Sequence, residues 1–189
     1  KGIYNEIDSD DIVQQIVESG LKYVVVTGGE PAEQANELLD VIKHQAVKPC
    51  YFTIETSGNI EFDPTPYHLL SCSPKMPGMM AKNVSNDIYV GHLPKMIDSM
   101  FVANRLVQLK FVISNQQDFK QSKELVSAAV PDKYKKRVHI IFQPNNYVSS
   151  NIPDRLQSLV EYCMQFKVMS KMFLDDYRES GFWESYPHS

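Results

Sequence analysis

Cysteine is scarce in this sequence, and its three cysteines lie far apart, at Cys50, Cys72 and Cys163. Their odd number and wide spacing exclude a dense disulfide framework and match no zinc or iron–sulfur ligand motif. We expect them to be small buried residues in a reducing compartment. The chain also shows no basic segment followed by an apolar leader, so we expect a cytoplasmic protein.

Long apolar runs and an excess of basic residues are absent as well. No run approaches the roughly 20 residues that span a bilayer, so we expect no membrane partner. The formal net charge of -4 provides no basic field for nucleic acid. The chain has 189 residues and neither a linker nor a low-complexity tract. It therefore predicts one domain over residues 1–189. Residues 167–189 form a C-terminal extension for which a lid, a dimer contact and a frayed tail are the alternatives, and its aromatic residues favour a packed interface.

Apolar segments typical of strands alternate with helical patterns along most of the chain. Strands are predicted at residues 23–27, 51–55, 68–72, 107–114 and 138–142. Helices are predicted at residues 32–45, 95–104, 116–130 and 153–166, after a first helix that Ser9 or Asp10 caps and Gly20 ends. This alternation predicts an α/β fold with parallel strands. Residues 76–94 contain two prolines and two glycines, and we expect a long irregular loop there.

The stretch most informative about function is residues 24–31, VVVTGGEP. Three consecutive valines predict a strand that is buried on both faces. Gly28 and Gly29 leave the backbone open to a ligand, and Pro31 is suited to the first turn of a helix. Such strand-to-helix turns bind small molecules in many α/β proteins. The alternative is a tight turn without a ligand.

Polar residues follow the other predicted strands in the same way. The polar groups are Thr27-Gly-Gly-Glu, Glu55-Thr-Ser-Gly and Ser73-Pro-Lys at the first three strand ends, Lys110 within the fourth strand, and Gln143-Pro-Asn-Asn after the fifth. Because parallel strands end at one edge of a sheet, these groups should meet and suit a polar, zwitterionic ligand that carries a ribose. Each also has a purely structural explanation: Glu30 favours a helix start, hydroxyls satisfy turns, and Lys110 points outward from an edge strand.

In this order, TGGEP, ETSG, SPK, LKFVIS and FQP resemble the motifs of 7-carboxy-7-deazaguanine synthases, which are radical S-adenosylmethionine enzymes. The resemblance covers about residues 10–143, and the combination is far more specific than GGEP alone. It implies a partial, modified (β/α) barrel, here lacking its N-terminal βα portion. The implied reaction converts 6-carboxy-5,6,7,8-tetrahydropterin to 7-carboxy-7-deazaguanine with loss of ammonia, on the route to queuosine.

The same resemblance implies the ligands and the residues that contact them. The cofactors would be S-adenosylmethionine, a [4Fe–4S] cluster and Mg²⁺, and the partners a pterin substrate, an external electron donor and a second subunit in a homodimer. Thr27 would contact the pterin. The implied S-adenosylmethionine site consists of Gly28, Gly29, Glu30, Glu55, Ser73, Pro74, Lys75, Gln143 and Asn146.

One departure from the family pattern is serious, because the sequence contains no CxxxCxxC motif to hold the cluster. We expect the cluster ligands to lie outside this chain, in which case the 189-residue chain is inactive alone. Two other functions stay open. One is a different radical S-adenosylmethionine enzyme, such as an activating enzyme for a glycyl-radical protein. The other is a non-catalytic β/α protein, without a cluster, that binds a ligand.

Overall fold

The computed structural model describes residues 6–76, residues 87–145 and Gln157. The elements follow in the order α1 (Ser9–Ser19), β1 (Tyr23–Val26), α2 (Ala35–Lys43), β2 (Tyr51–Thr56), β3 (Leu69–Cys72), α3 (Asp87–Val102), β4 (Leu106–Ile113), α4 (Gln116–Ala129) and β5 (His139–Pro144). Short 3-10 turns at Pro31–Gln34, Gln45–Val47 and Asp132–Tyr134 complete this part of the chain. The predicted helix over residues 153–166 and the extension over residues 167–189 lie outside the described residues, except for Gln157.

The five strands form one sheet in the order β1-β2-β3-β4-β5, and every neighbouring pair is parallel. The predicted α/β class with parallel strands is therefore confirmed. The described strands form an open sheet rather than a closed barrel. All five carboxyl ends consequently lie at one edge, as the sequence predicted.

The two faces of the sheet differ in chemistry. Alternate residues of the strands are buried on one face, including Phe52, Ile54, Leu70, Leu109 and Phe142, and they form the core with the helices. The opposite face carries Thr53 and Glu55 of β2, Ser71 of β3, and Gln108 and Lys110 of β4. This period-two alternation is typical of a sheet that is covered by helices on one side.

The prediction that the three valines of β1 are buried on both faces is wrong. Val25 is 55% exposed and Tyr23 77% exposed, because β1 is the edge strand of the described sheet and its second face is uncovered. Tyr23 stacks on Tyr51 of β2, with ring centroids 5.5 Å apart. A row of β-branched residues therefore forms an edge strand here with one face exposed, in place of the predicted strand buried on both faces.

The prediction of an irregular loop up to Pro94 is also wrong from residue 87 onwards. Helix α3 begins at Asp87 and includes Pro94 in its interior. An interior proline costs about 3 kcal/mol. Burial of a large apolar side chain contributes about 1.5–3 kcal/mol, and α3 buries Tyr89, Leu93, Met96, Ile97 and Met100 at helical spacing. The sum of these contributions outweighs the cost of the proline.

Other boundaries differ by a few residues. Asp8 caps α1 through a hydrogen bond from the Asp10 N–H, whereas Ser9 or Asp10 was predicted as the cap. Gly20 ends α1 at φ 66°, as expected. No helix in the described ranges is both long and apolar enough to cross a membrane.

Candidate functional site

A polar cavity of about 180 Å³ lies at the carboxyl edge of the sheet. The residues that line it come from the ends of β1 to β3 and from the middle of β4: Thr27, Gly29, Glu55, Thr56, Ser57, Ser71, Ser73, Lys75 and Lys110. The motifs TGGEP, ETSG and SPK, which are far apart in the sequence, are thus brought together at one cavity. The side chains that line the cavity provide hydroxyl groups, one carboxylate and two ammonium groups.

The GGEP turn is shaped by backbone conformation rather than by crowding. Gly28 and Gly29 have φ values of 98° and 56°, a region that disfavours residues with a side chain. A Cβ at either position would meet no described atom within 4 Å. The glycines therefore permit the turn and also leave its backbone groups accessible beside the cavity.

Glu30 connects this turn to the end of β2. Its carboxylate accepts hydrogen bonds from the Thr56 hydroxyl at 2.5 Å, from the Ser57 N–H and hydroxyl at 2.9 and 2.5 Å, and from the Ala32 N–H at 3.2 Å. Burial raises the pKa of Glu30, but these hydrogen bonds outweigh burial and lower it below the usual 4.5. The carboxylate is therefore anionic at neutral pH, and its oxygens are occupied by the protein.

Glu55 provides the carboxylate that faces the cavity. Its Oε2 accepts a hydrogen bond from Thr27 Oγ1 at 3.4 Å, and its Oε1 lies 3.9 Å from Lys110 Nζ. The Glu55 side chain is 40% exposed and that of Lys110 26% exposed. Both distances are long for strong bonds, so these three side chains are available to a ligand. Strand β4 lies between β3 and β5, so the alternative that Lys110 points outward from an edge strand is wrong.

The third wall of the cavity comes from β3 and the residues after it. Ser73 N–H donates to the Thr56 carbonyl at 2.7 Å, so the SPK segment is fixed against β2. The Lys75 N–H donates to the Tyr89 hydroxyl at 3.1 Å, which anchors the same segment to α3. The Lys75 side chain itself is exposed. A fixed backbone thus presents a solvated ammonium group at the mouth of the cavity.

Four of the predicted residues that the structure describes do not line the cavity. Glu30 acts through the network just described, Gly28 precedes the lining residue Gly29, and Pro74 is buried. Gln143 lies in β5 opposite Val112 of β4. Asn146 lies outside the described residues.

Sequence reasoning missed Ser71 and Gln108. Gln108 Nε2 donates to Ser71 Oγ at 2.7 Å, and Ser71 is almost fully buried in the floor of the cavity. A period-two pattern could have identified them, because Ser71 precedes Ser73 by two positions and Gln108 precedes Lys110 by two.

No group of three His, Cys, Asp or Glu side chains within residues 6–76 and 87–145 could hold a metal ion. Cys72 is buried against Ser57, whose carbonyl lies 3.7 Å from Sγ. Cys50, which we expected to be buried, is only half-buried and lies just before β2. Cys163 is outside the described residues. The described residues therefore fit a polar organic ligand but do not fit an iron–sulfur cluster.

Comparison with known proteins supports the resemblance seen in the motifs. The chain is similar to 7-carboxy-7-deazaguanine synthase from Rhodopirellula baltica, with 28% identity over 128 residues, which are 62% of this chain and 47% of that protein. The chain therefore spans about half the length of this curated relative. No family model matches the chain.

The fold has a counterpart among solved structures. The crystal structure of QueE from Escherichia coli matches with a TM-score of 0.57 and 23% identity, over 87% of this chain and 62% of that chain. At this identity the match shows a shared α/β fold. The sequence motifs resemble those of 7-carboxy-7-deazaguanine synthases, and the similarity to a curated protein with this name confirms that resemblance.

Proposed function

We propose that this chain is the ligand-binding portion of a radical S-adenosylmethionine enzyme that makes 7-carboxy-7-deazaguanine. The substrate would be 6-carboxy-5,6,7,8-tetrahydropterin, which contracts its ring and loses ammonia. The observation that carries the proposal is the meeting of TGGEP, ETSG and SPK at one polar cavity. The similarity to the Rhodopirellula baltica synthase supports it independently of that geometry.

The cavity suits the methionyl and ribose groups of S-adenosylmethionine. The open backbone at Gly29 offers carbonyl groups to the ammonium, and Lys75 offers a cation to the carboxylate. The hydroxyl of Ser73 is suited to a ribose, and that of Ser57, which already donates to Glu30, can accept from one. When bound and reductively cleaved, S-adenosylmethionine would supply the abstraction of a hydrogen atom from the substrate.

Thr27, Glu55 and Lys110 form the part of the cavity that we assign to the pterin. Lys110 is the cation nearest to Glu55 and is suited to pair with the carboxylate of the substrate. Glu55 can accept hydrogen bonds from ring N–H groups, and Thr27 can donate or accept. These residues would bind and orient the pterin, which fixes the position of its reacting carbon.

The described residues do not fit the cluster, and we assign none of them to it. We propose that cysteines outside the 189-residue chain hold the [4Fe–4S] cluster, since the sequence has no CxxxCxxC motif. The same holds for Mg²⁺, for which the described residues provide no ligand group. We further propose a cytoplasmic location and a homodimer, with electrons from an external donor.

Substrate turnover by the full-length protein tests the proposal. The cluster is reconstituted anaerobically, S-adenosylmethionine, carboxytetrahydropterin, Mg²⁺ and a reductant are added, and the product is identified by mass spectrometry. We expect 7-carboxy-7-deazaguanine and 5′-deoxyadenosine. Cleavage of the cofactor without the deazaguanine would instead support another radical enzyme, such as a glycyl-radical activating enzyme.

A non-catalytic ligand-binding protein is the second candidate, because the polar cavity would suit an organic ligand in such a protein equally well. The two candidates differ in what the complete reading frame encodes. The enzyme requires a cysteine triad upstream of Lys1. A complete frame without that triad would end the radical-enzyme proposal.

A further inference from the structure

A second and larger cavity, of about 450 Å³, lies at the opposite, amino edge of the sheet. Its wall includes Cys50 before β2, His68 before β3 and Arg105 before β4. The candidate site above lies at the carboxyl ends of the same strands. The two cavities share no lining residue, so the amino-edge pocket needs an explanation of its own.

Positive charge predominates around this amino-edge pocket. Lys43, Lys48 and Arg105 line it, and Asp63 is its one carboxylate. The Asp63 carboxylate already accepts a hydrogen bond from the Thr65 N–H at 3.0 Å. None of the three cations forms an ion pair with another residue in the described ranges. Three cations that converge on one concave surface without internal partners indicate an anion site.

Arg105 is held in place by its backbone. Helix α3 ends in a turn in which Asn104 adopts φ 56°, and the Arg105 N–H donates to the Met100 carbonyl at 2.8 Å. Arg105 Nε is buried and has no hydrogen-bond partner among the described residues. A buried donor without a partner costs about 1–3 kcal/mol, and more when it is charged. An acceptor in the pocket would remove this cost, so Nε is a donor available to a ligand.

His68 adds a neutral donor. Its Nδ1 accepts a hydrogen bond from the Phe52 N–H at 3.1 Å, so the neutral ring carries its proton on Nε2. Burial lowers the pKa of His68, and the nearby positive charge of Arg105 lowers it further. Tyr51 packs on the ring at a centroid distance of 5.0 Å and fixes its orientation.

The remaining wall is apolar and comprises Ile42, Val47, Phe52 and Pro66. Val47 and Phe52 are almost fully buried in the hydrophobic core, so Ile42 and Pro66 provide the accessible apolar surface of this wall. A ligand that fills the pocket would place its anionic group between the cations and a compact apolar body against this wall. An inorganic anion alone would leave the apolar part of the cavity empty.

From this arrangement we propose that the amino-edge pocket binds a small organic phosphate monoester. The phosphate dianion would bind between Lys43, Lys48 and Arg105, with Arg105 Nε as one donor. Its organic group would pack beside Ile42 and Pro66. The proposal stands independently of the radical-enzyme function, because it uses no residue of the other cavity.

Calorimetric titration of the full-length protein with phenyl phosphate tests the proposal. We expect saturable binding at one site that weakens with added salt. The double variant Lys43→Gln/Lys48→Gln should bind roughly tenfold more weakly, as should Arg105→Gln, since each removes charge-assisted contacts to the anion. The lysine variant changes only exposed side chains, so it tests the site even where Arg105→Gln fails to fold.

Lys95→Gln/Lys120→Gln serves as the matched control, since it removes the same charge from exposed lysines on α3 and α4. This control should bind like the wild type. An equal loss in both double variants would show that binding is non-specific. Unchanged affinity in Lys43→Gln/Lys48→Gln would show that the ligand does not contact these lysines. Either result would overturn the proposal. Inorganic phosphate should bind more weakly than phenyl phosphate. Benzoate that bound as tightly as phenyl phosphate would rule out selection for a dianion.

Discussion

The Glu30 carboxylate accepts two hydrogen bonds from Ser57, one from its N–H at 2.9 Å and one from its hydroxyl at 2.5 Å. Glu30 belongs to the turn after β1 and Ser57 follows β2, so the pair joins the carboxyl ends of two neighbouring strands. Thr56 and Ala32 occupy the other oxygen of the carboxylate. The glutamate of GGEP therefore fixes one wall of the cavity, whatever the cavity binds.

Glu30→Gln should destabilise the fold by about 1–3 kcal/mol, because the amide NH₂ would face protein donors and leave them unpaired. Urea denaturation of the variant and the wild type measures the difference. Glu33→Gln, an exposed residue in the next turn, is the control and should change the free energy of unfolding by less than about 0.5 kcal/mol. Equal stability of Glu30→Gln and the wild type would contradict the assigned role.

The contribution of Glu30 to stability should depend on pH. Although burial alone would raise the pKa of Glu30, its hydrogen bonds lower it below the value of 4.5 expected for the unfolded chain. A lowered folded-state pKa means that the stabilisation is fully present above the unfolded value and disappears as pH falls through the folded value. The stability difference between wild type and Glu30→Gln, measured by denaturation across this range, should therefore shrink below pH 4.5. A difference that grows with acidification would refute this sign.

The parallel arrangement of the strands and the meeting of the motifs were predicted from the sequence, because both follow from the alternation of apolar runs and helical patterns. Apolar runs that end in TGGE, ETSG and SPK identify parallel strand ends without any knowledge of tertiary contacts. The helix between β4 and β5 was predicted at residues 116–130 for the same reason. The structure adds that Asn115 caps α4 by accepting a hydrogen bond from the Asp118 N–H at 2.9 Å.

Other features depend on contacts that a single sequence does not display. Whether the outer side of Val25 is covered depends on the position of β1 in the sheet, which three valines do not reveal. Pro94 concealed the start of α3, because local propensity weighs a proline more heavily than the burial of distant Tyr89 and Met100. The hydrogen bonds from Ser57 to Glu30 depend on how close two loops lie in the fold, and the sequence does not display that distance.

Gly58 should be intolerant of a side chain. Its φ is 76°, and a Cβ there would collide with Cys72 Sγ in the core. Gly58→Ala combines backbone strain with overpacking and should lower the free energy of unfolding by about 2–4 kcal/mol. Thermal or urea denaturation measures this loss.

Gly91→Ala provides the matched control for Gly58. Gly91 lies in helix α3, and a Cβ there would meet no described atom within 4 Å. Alanine has the higher helix propensity, so this variant should be neutral or more stable by up to about 1 kcal/mol. Equal effects of the two substitutions would contradict the proposed collision with Cys72.

Cys72 should resist alkylation in the folded protein. Burial raises the pKa of its thiol, the negative charge of Glu30 raises it further, and the side chain has no exposed surface. Iodoacetamide reacts with the thiolate, so labelling followed by peptide mass spectrometry should find the half-buried Cys50 modified faster than Cys72. In urea the two rates should become similar. Rapid labelling of Cys72 in the folded protein would show that this thiol is accessible.

Lys110 should matter more for the ligand than for the fold. Its ion pair with Glu55 is long, at 3.9 Å, and partly exposed, so Lys110→Gln should change the free energy of unfolding by less than about 1 kcal/mol. If Lys110 binds the carboxylate of the pterin, the same substitution should weaken substrate binding by roughly tenfold, the effect of one charge-assisted contact. Titration of the full-length protein with carboxytetrahydropterin measures this effect, with Lys95→Gln as a control remote from the cavity. Unchanged substrate affinity in Lys110→Gln, with a fold as stable as the wild type, would place the pterin carboxylate elsewhere in the cavity.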